Sequence, residues 1–348
     1  MQNKTGILLL MVLLSGCIKY ANLNYRTPTP YLVVEGMLLT DSTPCKVTLT
    51  YSGLFIKQGY QDPAYINDAT VYLKDDANDS TKLSAQGNGL YQSDGAVHAQ
   101  VGHSYSLSIT LSNGKRYASF PEKIAAVSKD FSLDSIGESV PFGLNDLYGA
   151  DIKIRTKDPA GVRNYYRWTS VDYMPRKATG VYCGSVPPCF QYCFQSFTDQ
   201  NTYILSDAAL DGADIRYQTA LISPYYYYGK HYIEMKQLSL TENAYEFWNQ
   251  YGKQTTATGG ILDPIPSSIQ GNIYSLNDST ELALGYFEAS DVASFKLVVA
   301  PSFINSYYTL RNFSLHVATG ACYLVYPDAM TDAPTGWENA PEYIVNVY

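Results

Sequence analysis

The sequence predicts a mainly β protein in two parts. Three observations point there: period-two alternation over residues 31–120, turn-forming clusters at short intervals between the alternating runs, and a second series of strand-like stretches after residue 130. In "KVTLTYS", Val47, Leu49 and Tyr51 share one face while Lys46, Thr48 and Thr50 share the other. Side chains alternate across a pleat, so this pattern describes a half-buried strand. "SYSLSITLS" repeats it, with Tyr105, Leu107, Ile109 and Leu111 opposite serines and a threonine.

Between these runs lie "LKDDANDS", "QGNGLY" and "SNGKRY". Each is rich in Gly, Asn or Asp, the residues that tolerate the positive φ of hairpin turns. Short strands with such turns between them predict an immunoglobulin-like or transthyretin-like β-sandwich over residues 31–120. Residues 121–130, "PEKIAAVSKD", show no alternation and are assigned to a connector. From 131 to 348 "FSLDSI", "ADIKIR", "YYRWTSVDY", "RYQTALIS" and "YIEMKQL" predict a larger β-rich domain. One helix interrupts it near 240–254, in "SLTENAYEFWNQYGKQ". Ser239 and Glu242 have capping-box spacing, and Ala244, Trp248 and Tyr251 fall on one helical face, with Trp248 expected as a core anchor.

The chain starts differently. Lys4, the apolar run Ile7–Leu14 and the small residues Ser15 and Gly16 precede Cys17. That is the layout of a secretory signal, too short for a permanent span of about 20 residues. Leu14, Ser15, Gly16 and Cys17 resemble a bacterial lipobox, which implies cleavage after residue 16, acylation of Cys17 and a lipidated tether over 17–30. Each buried methylene contributes roughly 0.8 kcal/mol, so several acyl chains hold a protein firmly on a membrane. A net charge of -8 without Lys/Arg clusters excludes nucleic acid as a partner.

An exported chain forms disulfides, and beyond Cys17 the available residues are Cys45, Cys183, Cys189, Cys193 and Cys322. Three of them, in "CGSVPPCFQYC", can supply one loop staple and one longer bridge, leaving the pairing open and one cysteine over. Zinc would need histidines at short spacing, and neither His231 nor His316 is near in sequence. No metal or other cofactor is expected.

Catalytic markers are missing. The chain has four histidines, no G-x-S-x-G elbow and no H-E-x-x-H pair. The acidic run at Asp75, Asp76 and Asp79 fails the EF-hand pattern, since counting from Asp76 places Thr81 and Gly87 where Gly and Glu belong. Tyr225, Tyr226, Tyr227 and Tyr228 in "SPYYYYGKHY" are the best recognition surface, because tyrosine offers stiff contact area with a polar tip. The competing reading is an edge strand whose tyrosines face core and solvent in turn.

Family likeness covers most of the chain. "YLVVEGMLLTDSTPCKVTLTYS", "NYYRWTSVDY" and above all "YEFWNQYGKQTTATGGILDPIPSSIQGNIYSLNDSTELALGYFEAS" resemble the Bacteroidota lipoproteins grouped as family 4249 of the domains of unknown function. The resemblance implies an outer-membrane lipoprotein, lipid-anchored and non-enzymatic, acting as accessory or ligand-binding partner of a TonB-dependent transporter. A surface structural or adhesive module and a carboxylate-based hydrolase are the alternatives. Lys19 has no acidic residue after it, so the periplasmic and cell-surface faces both stay open. Ser42, Ser80, Ser135 and Ser279 each follow an aspartate in triplets resembling Bacteroidota O-glycosylation motifs, a pattern that turn chemistry alone also explains.

Overall fold

The computed structural model describes residues 30–56, 59–61, 64–142, 147–179, 190–199, 201–224, 229–256, 268–303, 318–326 and 328–347. The chain begins with β1 (Leu32–Leu39), β2 (Lys46–Tyr51), β3 (Leu54–Ile56), β4 (Gly59–Gln61), β5 (Ala64–Tyr65) and β6 (Thr70–Asp75). Next come β7 (Ser80–Gly87), β8 (Leu90–Ser93), β9 (Ser104–Thr110), β10 (Arg116–Ser119) and β11 (Glu122–Lys123). Longer strands follow: β12 (Phe131–Phe142), β13 (Leu147–Lys157), β14 (Tyr165–Thr179) and β15 (Phe190–Phe197). Then β16 (Tyr203–Ser206), β17 (Asp214–Pro224) and β18 (His231–Ser239) lead to helix α1 (Glu242–Thr255). The chain closes with β19 (Ile273–Ser275), β20 (Ala283–Ser290), β21 (Val292–Phe303), β22 (Ala318–Thr319), the short α2 (Cys322–Val325) and β23 (Glu342–Val347). The fold is mainly β, as the alternation predicts.

The alternating runs become strands with the expected faces. Val47, Leu49, Leu107, Ile109 and Leu111 are buried, while Lys46 is exposed. Burying each such aliphatic side chain contributes about 1.5–3 kcal/mol, which fixes the register because a one-residue slip would expose the whole set. The hairpin from β6 to β7 turns on Asp75, whose Oδ1 accepts the Ala77 and Asp79 amides, with Asn78 at φ 68°.

The first sheet has eleven strands, ordered β19-β10-β9-β6-β7-β8-β2-β1-β20, with β11 on β9 and β5 on β2. It differs from the sequence reading in one respect: the first sheet is not confined to residues 31–120. Residues 273–290 return to it, β19 beside β10 and β20 parallel to β1, Leu32 facing Ala283 and Leu39 facing Ser290. Ile273 and Phe287 share one core with Val34, Leu49 and Leu107. Two glycines permit the return. A Cβ on Gly285 (φ +90°) would lie 2.0 Å from the Val34 carbonyl oxygen, and one on Gly271 would lie 1.6 Å from the Gly285 oxygen. Alternation reveals that a segment is a strand but is silent about its partner.

The segment read as a connector is likewise built in. It carries β11, and its Val127 amide and Lys129 ammonium both reach Asp291, which opens the way into β21. Beyond it, the three-stranded sheet β12-β13-β17 faces a seven-stranded sheet ordered β15-β14-β18-β21-β23, with β16 and β22 also on β14. Ile152, Ile154 and Leu221 from the smaller sheet meet Trp168, Ile233, Met235 and Leu297 from the larger.

Helix α1 forms where expected, with a different cap. Thr241 is the N-cap, its hydroxyl accepting the Ala244 amide, and Glu242 is the first helical residue. Ser239 belongs to β18, where its backbone and hydroxyl are taken by Asp291. The buried helical positions are Ala244 and Phe247, whereas Tyr251 is exposed.

Candidate functional site

A buried polar network lies where the first sheet meets α1 and β14. Glu122 on β11 is buried, and three donors converge on it: the Tyr286 hydroxyl at 2.6 Å, the Thr241 hydroxyl at 2.7 Å and the Asn272 amide at 3.1 Å. Burial pushes its carboxyl above the usual range, and these bonds only partly offset that. Burial also raises the Tyr286 hydroxyl, with the neighbouring Glu122 charge acting in the same direction. Asn272 closes a second ring, accepting the Phe287 amide and donating to the Phe287 carbonyl.

A second acid sits two residues along β20. Glu288 accepts the Trp248 indole N–H at 2.7 Å and the Ser290 hydroxyl at 3.0 Å. The buried Arg167 guanidinium lies 3.3 Å from it and 4.0 Å from the Trp248 ring centroid. A buried charge is tolerable only when paired and hydrogen-bonded, and here a cation, an indole and a hydroxyl share the task. Trp248 is therefore both a packing residue and the donor that ties α1 to β20.

Two more groups bring ionisable residues together. Asp172 on β14, Ser223 on β17 and His231 on β18 are buried as a knot. Ser223 donates to Asp172 at 2.6 Å, and Asp172 is 3.0 Å from His231 Nδ1, which is also 3.2 Å from the Ser223 hydroxyl. A hydrolytic relay places serine and aspartate on opposite ring nitrogens. Here both face Nδ1 and the serine proton points to the carboxylate, so the knot joins sheets and does not activate a nucleophile. Among the described residues one group of acids can hold a metal ion, Asp158, Asp207 and Asp211, with one oxygen of each within 4.8 Å of the others.

Comparison with known proteins assigns the chain to a family. DUF4249, a domain of unknown function, matches residues 20–296. The chain belongs to the DUF4249 family. No curated protein matches it. The DUF4249 match takes in the whole first sheet, including the returning strands β19 and β20, and every residue of the Glu122 and Glu288 networks. Within the matched span, residues 245–290 supply Trp248, Asn272, Tyr286 and Glu288, while Glu122 and Arg167 come from earlier segments.

The residues nominated by sequence are placed unevenly. Cys17, Cys183, Cys189 and Tyr225, Tyr226, Tyr227 and Tyr228 lie outside the described residues. Cys193 and Cys322 form a disulfide across 129 residues of sequence. Cys45, named among the disulfide candidates, is instead a free thiol in the first core, pushed up to about 12 by burial. Ser42, Ser80 and Ser279 are exposed, and Ser135 is half-buried in β12.

Sequence reading missed Glu122, Arg167 and Glu288, which only the fold brings together. A signal existed for Glu288: a lone acid in the otherwise uncharged run "LALGYFEAS".

Proposed function

We propose that this DUF4249 chain is a lipid-anchored lipoprotein of the bacterial outer membrane, acting without catalysis as an accessory or ligand-binding partner of a TonB-dependent transporter. The observation that carries the reading is the run Leu14-Ser15-Gly16-Cys17 directly after an apolar signal segment. The first described strand, β1, begins at Leu32, so an acylated Cys17 would lie 15 residues before the first sheet. Confinement to the membrane plane raises the effective concentration of a partner in the same membrane. The interior supports binding over chemistry, because Glu122 and Glu288 are spent on bonds that hold β11, α1 and β20 together. A carboxylate hydrolase needs an acid pair facing a substrate.

The experiment is metabolic labelling of the native host with an alkynyl fatty acid, followed by co-purification from solubilised outer membrane. The wild-type chain should carry label and recover a transporter, and Cys17→Ser should lose the label and leave the outer-membrane fraction. An unlabelled wild-type chain would overturn the anchor. A labelled chain that recovers no transporter, even after crosslinking, would overturn the accessory role, and cleavage of that chain by protease on intact cells would favour the adhesive module.

A further inference from the structure

The acids Asp158, Asp207 and Asp211 stand at a place where two crossovers run side by side. Residues 158–164 carry the chain from β13 in the three-stranded sheet to β14 in the seven-stranded one. Residues 207–213 carry it back, from β16 to β17. Asp158 accepts the Tyr166 hydroxyl on one oxygen and the Gly212 amide on the other, Asp211 accepts the Gly161 amide, and Asp207 Oδ2 accepts the Asn164 amide.

Two buried acceptors are left over. Asp207 Oδ1 has no hydrogen-bond donor although its side chain is 2% exposed, and Arg163 Nε approaches only to 3.5 Å. Asn164 Oδ1, on the residue whose amide holds Asp207, is also buried without a donor. An unsatisfied buried oxygen costs about 1–3 kcal/mol, and more when charged. Arg163 is the one cation at ion-pair distance from these three carboxylates among the described residues, since Lys157 donates to the Gly212 carbonyl beside them, and the cluster concentrates negative charge that a cation would neutralise.

We propose that Asp158, Asp207 and Asp211 bind a calcium ion that pins the two crossovers, and with them the two sheets, to each other. The donor set is all oxygen, which suits a hard cation and disfavours zinc and copper. Calcium ligands at about 2.3–2.6 Å place oxygens up to roughly 5 Å apart across the ion, while magnesium at about 2.0–2.1 Å requires a tighter octahedron. The carboxylate oxygens, all within 4.8 Å of one another, are close enough to share one ion, and calcium tolerates the irregular geometry that a fixed protein cluster imposes. Asn164 Oδ1 and water would complete the shell. Arg163 competes with the ion for Asp207.

Terbium is the probe, since a lanthanide occupies calcium sites and Tyr166, bonded to Asp158, would sensitise its emission. The mature full-length protein in detergent, stripped with chelator, should show tyrosine-sensitised emission that calcium displaces and magnesium does not, with calcium Kd roughly 10⁻⁴ to 10⁻³ M. Asp211→Asn neutralises a ligand on the exposed side and should weaken calcium roughly tenfold, by lowering the ligand charge. Arg163→Gln should tighten it. Asp207→Asn should abolish it, and the other two variants keep the test valid if that one fails to fold. Absence of emission, or calcium affinities unchanged in Asp211→Asn and Arg163→Gln, would overturn the proposal and leave the group as a static cluster around Arg163.

Discussion

Glu122 holds β11, α1, Asn272 and β20 together through three hydrogen bonds, yet burial raises its carboxyl above the ordinary value of 4.5. A folded state that holds the proton more tightly than the unfolded chain gains stability from this group below the unfolded value, and loses it as pH rises through the raised folded value. Asp291 has the opposite sign. Burial pushes it up, but Lys129, Thr40 and the Val127 amide pull it below its usual range, so its contribution is present at neutral pH and lost on acidification. Overall acid sensitivity mixes the two, and a variant separates them. Glu122→Gln keeps the shape and removes the titration, so the melting-temperature gap between wild type and variant should move in the variant's favour from pH 4 to pH 7. A gap that is constant across that range would mean that the Glu122 charge is not coupled to folding.

Helix α1 exemplifies which elements the sequence makes legible. Its apolar spacing and flanking polar residues locate it within two residues, but the S-x-x-E pair suggests a cap at Ser239, whereas β18 runs on through that residue and Thr241 caps instead. Spacing alone does not choose between the two hydroxyls. What it lacked was Asp291, a residue 52 positions on, whose backbone and amide claim Ser239. Thr241 has two roles, accepting from Ala244 and donating to Glu122. Loss of an N-cap costs about 0.5–2 kcal/mol. Thr241→Ala should fall at the upper end, because Glu122 also loses a donor, and Thr241→Ser should recover most of the difference. Chemical denaturation checks this. Equal stability of the alanine and serine variants would show that neither bond matters.

At the scale of the molecule, period-two patterns identified strands well but not their neighbours. Nothing in "LALGYFEAS" says that it lies parallel to residues 32–39 and completes the first core, because parallel pairing of segments about 250 residues apart is decided by tertiary packing. The acids of the further site were equally hidden, since "KDPAG" and "DAALDGAD" look like ordinary turns until the two crossovers come together. The disulfide is the third such contact. Cys193 on β15 joins Cys322 at the start of α2, and Phe194 pairs with Met330 beside it, so the bond fastens a C-terminal segment beyond the DUF4249 match onto β15. Closing a loop of this length stabilises by about 5 kcal/mol in the chain-entropy model, and measured values for native bonds run about 2–5 kcal/mol. Cys322→Ser should therefore lower global stability by a few kcal/mol and raise amide exchange over residues 318–330. Exchange in β1 and β2, whose core is separate, should stay at the level set by global unfolding. If exchange over 318–330 matches wild type, the segment is held by β22 and the Phe194–Met330 pairing and the bond only adds to a docked tail.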